Sequence, residues 1–201
     1  MKATPLRLKR SAKIRFPLPW GARLATQHMA PALPVRKTDH LHRHRVSLPG
    51  CRYFLTFCAL RPVYVLTHPD LGQRLLAQIH EFAGRDATLL CATLMPDHAT
   101  VLFRLGDRLT LGQLAGKFKA KTAAALEQHG AVWQRDFYDR RLHSEDMSGD
   151  FARYIFLNPY RRELISRRTV WPWWQKGAEV FDFESMLEDG LFPPAEWLAT
   201  P

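Results

Sequence analysis

Cysteine is scarce and badly placed for metal or disulfide chemistry. Cys51, Cys58 and Cys91 are odd in number and include no C-x-x-C pair, which argues against a disulfide framework and a zinc knuckle and favours buried free thiols. Long apolar runs are also missing. No stretch approaches the roughly 18 to 20 residues that a spanning helix needs, and the Pro- and Arg-bearing start lacks the apolar segment of a secretory signal. A soluble, cytoplasmic protein is the expectation. Acidic residues are nearly absent from the first quarter: residues 1–50 carry eleven Lys/Arg against the single acid Asp39, while the rest is balanced, so the formal net charge of +10 sits in this arm. A basic, proline-containing segment without acids cannot bury enough apolar surface to order itself. A polyanion is its natural partner through phosphate neutralisation, with a targeting peptide or a solubilising tail as alternatives.

What is present suits one folded domain. With 201 residues and 46% hydrophobic composition, the chain can bury a core of ordinary size. The pattern divides it into a flexible basic arm over 1–45, a domain over 46–170, and an aromatic tail over 171–201 that is expected to pack on the domain irregularly. Tyr53 to Leu60 reads as a strand introduced by the Pro49-Gly50 turn. Thr67 and Asp70 start a helix with Pro69 in its first turn, and Leu71, Leu75, Leu76, Ile79 and Phe82 recur at helical spacing until Gly84. Ala87 to Leu94 and His98 to Leu105 form a hairpin around Met95-Pro96-Asp97. Thr110 caps a second helix that ends by Gly130, Phe137 to Leu142 gives a fourth strand, and a third helix runs from about Glu145 to Leu157, stopped by Pro159. The order β-α-β-β-α-β-α predicts an α+β fold: a ferredoxin-like split β-α-β sandwich whose antiparallel sheet carries its helices on one face.

Chemistry concentrates in two segments. Side chains at 98 and 100 share a strand face, so a histidine at each would grip one divalent metal, but the second position is Thr100. Tyr154 and Asn158, four apart on a helix, place a phenol beside an amide oxygen. His40-Leu41-His42 has the letters of a His-hydrophobic-His pair but lies in the basic arm, continuing to His44, and is read as a solvated cationic segment.

The segments Met95-Pro96-Asp97-His98-Ala99-Thr100, Trp133 to Asp139, and Arg153-Tyr154-Ile155-Phe156-Leu157-Asn158-Pro159-Tyr160-Arg161-Arg162, together with Arg45-x-x-x-Pro49-Gly50-x-x-Tyr53-Phe54, resemble the REP-associated tyrosine transposases. These belong to the single-strand HUH (His, hydrophobic, His) transposases. The resemblance covers roughly residues 43–175, and three motifs in the right order make it specific. It implies a ferredoxin-like fold and a metal-dependent endonuclease and strand-transfer activity in DNA transposition and recombination. Tyr154 would attack a phosphodiester of single-stranded DNA, leaving a 5′-phosphotyrosine and a free 3′-hydroxyl. His98 and Asn158 would hold Mg²⁺ or Mn²⁺, hard cations that favour oxygen donors. The chain departs from the pattern at Thr100, whose neutral hydroxyl is a poorer ligand than imidazole. That departure leaves open three outcomes: a water or Asp97 fills the gap, the enzyme is weakened, or the chain is a hairpin- and single-strand-binding protein descended from one. The resemblance also implies a monomer with a DNA hairpin and single-stranded DNA as partners, and neither a membrane nor a small-molecule substrate. Candidate DNA contacts are Lys117, Lys119, Lys121, Arg135, Arg140, Arg141, Arg161 and Arg162, followed by Arg167 and Arg168; Trp133, Phe137 and Tyr138 are candidates for base stacking. An RNA-binding ferredoxin-like domain is disfavoured because no RNP-type pattern occurs in the first or third strand.

Overall fold

The computed structural model describes residues 46–60, 64–143, 146–179 and 181–188. The basic arm and its His40-Leu41-His42 string lie outside the described residues. Strand β1 (Arg52–Cys58) leads to helix α1 (Pro69–Arg85), the hairpin β2 (Ala87–Leu94) and β3 (His98–Leu105), helix α2 (Leu111–Gln128), strand β4 (Tyr138–Arg141), helix α3 (Ser148–Arg161), strand β5 (Trp174–Lys176) and a short helix α4 (Ser185–Glu188). The strands form one sheet in the order β4-β1-β3-β2-β5, with every neighbouring pair antiparallel. β1 and β2, joined through α1, are separated by β3, which is the expected split β-α-β arrangement.

The sheet is a middle layer. Tyr53, Leu55 and Phe57 of β1 and Val101 and Phe103 of β3 face α1 and α2, packing with Leu71, Leu75, Ile79, Leu114 and Phe118. The alternate residues Phe54 and Leu102 face the other way, packing with Phe151, Ile155 and Phe156 of α3 and with Trp171 and Trp174. The expectation of helices on one face therefore holds for α1 and α2, whereas α3 covers the opposite face. Period-two alternation explains the difference: β1 and β3 are apolar at both parities, and burying only one of them would leave Phe54 and Leu102 in water.

Local signals account for most boundaries. Thr110 completes a capping box, accepting from the Gln113 backbone N–H at 3.2 Å while the Gln113 side chain accepts from the Thr110 N–H at 2.9 Å. α2 ends in a Schellman turn with Gly130 at φ 70°, the Ala131 N–H reaching the Leu126 carbonyl at 2.9 Å. His68, not Thr67, takes the N-cap position of α1 without a side-chain capping bond, Pro69 lies in the first turn, and the helix runs through Gly84 to Arg85.

Two boundaries depart further from expectation. α3 continues past Asn158 through Pro159 to Arg161. Pro159 lies in the last turn, where its missing N–H forfeits one hydrogen bond, and it is buried. The helix stops instead in a second Schellman turn: Leu164 N–H donates to the Pro159 carbonyl at 3.0 Å and Glu163 N–H to that of Tyr160 at 3.1 Å, with Glu163 held at φ 55°. The tail, expected to be irregular, adds strand β5 beside β2, and Trp171 and Trp174 enter the second core. Among the described residues no helix is long and apolar enough to cross a membrane.

Candidate functional site

The β2–β3 turn is fixed by backbone hydrogen bonds, with the Asp97 carbonyl accepting from Ala59 N–H at 2.9 Å and the Pro96 carbonyl from Leu66 N–H at 3.0 Å. His98 opens β3 opposite Cys58 and lies on the α3 side of the sheet, since its parity is that of Leu102. Its Nδ1 is 2.7 Å from Asp97 Oδ1. Arg162 Nη1 donates to the same carboxylate, at 3.2 Å to Oδ1 and 3.3 Å to Oδ2. Burial works against the Asp97 charge, but the combined His98 and Arg162 contacts outweigh it and hold the carboxyl at about 2. An ionised carboxylate only accepts, so Nδ1 carries the proton; in the neutral imidazole Nε2 then keeps a lone pair. That Nε2 faces Asn158 Nδ2 at 3.3 Å.

Asn158 belongs to the α3 face that also carries Tyr154, Arg161 and Arg162, at i, i+4, i+7 and i+8. The Tyr154 ring packs against Phe54 at 6.0 Å between centroids, and the Arg161 guanidinium lies 5.1 Å over it. Burial raises the Tyr154 phenol above its ordinary value, while the nearby Arg161 and Arg162 charges oppose the rise. Burial also lowers the Arg161 guanidinium. The helix has a second tyrosine, Tyr160, which is structural: it is buried, its hydroxyl donates to the Thr169 carbonyl at 2.9 Å and accepts from Trp171 N–H at 3.2 Å, and burial pushes it up to about 12.

Thr100 lies on the His98 face of the central strand, 1% exposed beneath α3. Its direct cross-strand neighbours are Thr56 on β1 and Thr93 on β2, so three threonines cross the sheet in a row. Thr93 Oγ1 is buried with no hydrogen-bond partner among the described residues. Among those residues, no three His, Cys, Asp or Glu side chains gather into a metal cluster.

The basic candidates fall into two groups. Lys117, Lys119 and Lys121 project from α2, on the face of the sheet away from α3, and each is engaged internally. Lys117 pairs with the buried Asp86 and Lys121 with Glu81. Lys119 Nζ donates to the carbonyls of Gln134, Arg135 and Asp136 at 2.9, 3.0 and 2.8 Å, pinning the segment before β4. Arg135 is exposed in that segment. Arg140 lies opposite Phe54, hence on the α3 side, where it pairs with Asp146 at 3.2 Å and covers Phe151 at 5.0 Å; Arg141, opposite Tyr53, is on the other side. Arg161 and Arg162 join the Tyr154 cluster. Of the aromatic candidates, Trp133 and Phe137 pack into the first core, and Tyr138 stands exposed on the α3 side opposite Thr56. The pairing of Arg162 with Asp97 and the seating of Tyr154 on Phe54 were not read from sequence. The first bridges 65 positions, and the second needs the knowledge that α3 crosses the Phe54 face.

Neither a protein-family model nor a curated protein matches the sequence. Among solved structures, the chain is similar to a REP-associated tyrosine transposase bound to a REP hairpin: 20% identity over 75% of this chain and 87% of that one, with a TM-score of 0.54. It also aligns with a transposase candidate from Deinococcus radiodurans R1, at 15% identity over 63% of this chain and 95% of that one, TM-score 0.41. A bacterial tRNA(His) guanylyltransferase-like protein in complex with GTP aligns at 11% identity over 64% and 71%, TM-score 0.44. The first likeness is one of fold; the other two, below a TM-score of 0.5, carry no argument.

Proposed function

We propose that this protein is a transposase-like DNA-binding protein that recognises a DNA hairpin with a single-stranded flank, and that Tyr154 attacks a phosphodiester there. The reading rests chiefly on one observation: Tyr154, Asn158, Arg161 and Arg162 share the α3 face that meets His98 at the start of β3, on the fold of a hairpin-bound tyrosine transposase. Arg161 and Arg162 offer cations to the phosphate and to the developing phenolate, which offsets part of what burial costs Tyr154. Asp97 holds the His98 ring in one tautomer, and Arg162 ties that carboxylate to the tyrosine helix.

The donors suit a divalent metal in kind. His98 Nε2 is backed by a carboxylate on Nδ1, as metal-bound imidazoles are, and the Asn158 amide beside it presents oxygen after a half-turn that ordinary side-chain placement does not distinguish. His98 and Asn158 would hold Mg²⁺ or Mn²⁺, with Thr100 at the degenerate third position. The ion, when bound, supplies Lewis-acid polarisation of the scissile phosphate. The recessed Thr100 hydroxyl makes this a weak site, and losses even around the ligands of metal sites cost about 10- to 100-fold.

The test is a covalent protein–DNA adduct, resolved on denaturing gels with labelled hairpins and Mg²⁺ or Mn²⁺. A faint adduct is expected for the native chain, none for Tyr154→Phe and more for Thr100→His. No adduct from either the native chain or Thr100→His across a panel of palindromic hairpins sinks the catalytic reading. A second reading, a hairpin-binding protein without cleavage, is favoured by the burial of Thr100 and the raised Tyr154 phenol. It expects Tyr154→Phe to leave hairpin affinity and its salt slope intact, with removal of residues 1–45 flattening that slope.

A further inference from the structure

An exposed tyrosine stands on the edge of the sheet. Tyr138 opens β4, the outermost strand on the β1 side, and 39% of it is exposed, although apolar residues elsewhere on this face are buried beneath α3. Its register opposite Thr56 puts the ring on the same side of the sheet as Tyr154. Phe54 links the two: its centroid is 6.3 Å from Tyr138, edge-on at 79°, and 6.0 Å from Tyr154. One edge contact occupies at most one face of the Tyr138 ring, so it fixes the ring without using it up. Two residues along, on the same side, Arg140 brings a guanidinium held by Asp146 and Phe151. A pre-positioned aromatic face with a cation beside it, next to a phosphate-binding cluster, has the composition of a stacking platform for unpaired bases.

We propose that Tyr138 is the subsite for one unpaired nucleobase of the single-stranded flank, stacking the base adjacent to the phosphate held at Tyr154 and so setting which nucleotide is presented for attack. This rests on the DNA reading above and deepens it. Phe137 and Trp133, the neighbouring aromatics, cannot serve, because both rings pack around Phe57 on the far side of the sheet. The hydroxyl of Tyr138 is not required for stacking, so phenylalanine or tryptophan should replace it.

The experiment measures binding of the full chain, in EDTA, to a fluorescent hairpin with a single-stranded flank. Each flank base in turn is replaced by an abasic site. The native protein should show one position where base removal weakens binding about 5- to 150-fold, the range for one stacked base. Tyr138→Ala should lose the same factor on intact DNA, with no further loss at that abasic position, while Tyr138→Trp keeps native affinity and an unflanked hairpin binds all three alike. Unchanged thermal unfolding of Tyr138→Ala separates a lost contact from a lost fold. If Tyr138→Ala binds the intact flank as tightly as the native chain, or if its loss adds to that of every abasic position, the subsite is refuted while hairpin binding stands. If the native chain binds no hairpin, the DNA reading itself falls and takes the subsite with it.

Discussion

Replacing Asp97 by asparagine removes the charge that His98 and Arg162 share, and the consequence can be worked from the site. The carboxyl is held at about 2 against an ordinary value of 3.8, a difference equivalent to roughly 2 kcal/mol. The side chain is 24% exposed, so solvent screening lowers the expected loss for Asp97→Asn to about 1 to 2 kcal/mol. Because the folded-state value lies below the unfolded one, the stabilisation is complete above the unfolded value and fades as pH falls from about 4 toward 2. Urea unfolding of native and Asp97→Asn protein at pH 7, 5, 4, 3 and 2.5 should therefore give a constant gap down to about pH 5 and a closing gap below it. A gap under about 0.5 kcal/mol at pH 7, or one that persists undiminished at pH 2.5, refutes the assignment of the charge to the folded-state contacts.

Other parts of the chain make equally direct predictions. Glu163→Gly relieves a left-handed backbone position at the end of α3 and should stabilise by about 0.5 to 1 kcal/mol, seen as a Tm rise of a few degrees; a fall in Tm contradicts the Schellman assignment. Lys119→Met strips three carbonyls of their donor and should cost about 1.5 to 3 kcal/mol in chemical denaturation, with faster amide exchange across residues 134–136; unaltered exchange there would show the lysine to be idle. Gly177→Ala would drive a Cβ into the Leu89 carbonyl, so the segment after β5 must shift from β2 at a cost of about 1 to 3 kcal/mol, read as faster exchange of the amides at 177 and 178; native exchange there would contradict the close approach.

Elements whose signal is local were legible in the sequence. The Thr110 cap, the Leu71-Leu75-Ile79 stripe and the apolar runs of the hairpin each fix their own segment, and the order of elements then admits the split β-α-β sheet. What was not legible depends on partners distant in sequence. The side on which α3 settles follows from Phe54 and Leu102 needing cover, which a per-strand reading of apolar content does not assign to any particular helix. Pro159 reads as terminal because proline disfavours helical geometry at the residue before it; here it falls in the last turn of α3, where the missing N–H costs one hydrogen bond and the helix ends two residues later. The partners of the α2 lysines are not legible because charge carries no label of its partner, and Asp86, Glu81 and the 134–136 carbonyls come from other elements. Tyr154 on its helix and His98 on its strand are legible from period alone, whereas Asn158 lies one residue beyond the expected helix end and is helical in the structure, which brings its Nδ2 within 3.3 Å of His98 Nε2.

The layer on which Tyr154 rides is separated by a whole sheet from the core that contains α1 and α2. Substitutions that repack the α3 side can therefore accumulate while the other half keeps the domain folded, and damage to one side need not register on the other. A change at Thr100 on the central strand is of this kind: it alters what meets the α3 side while α1 and α2 behind the sheet continue to specify the same shape.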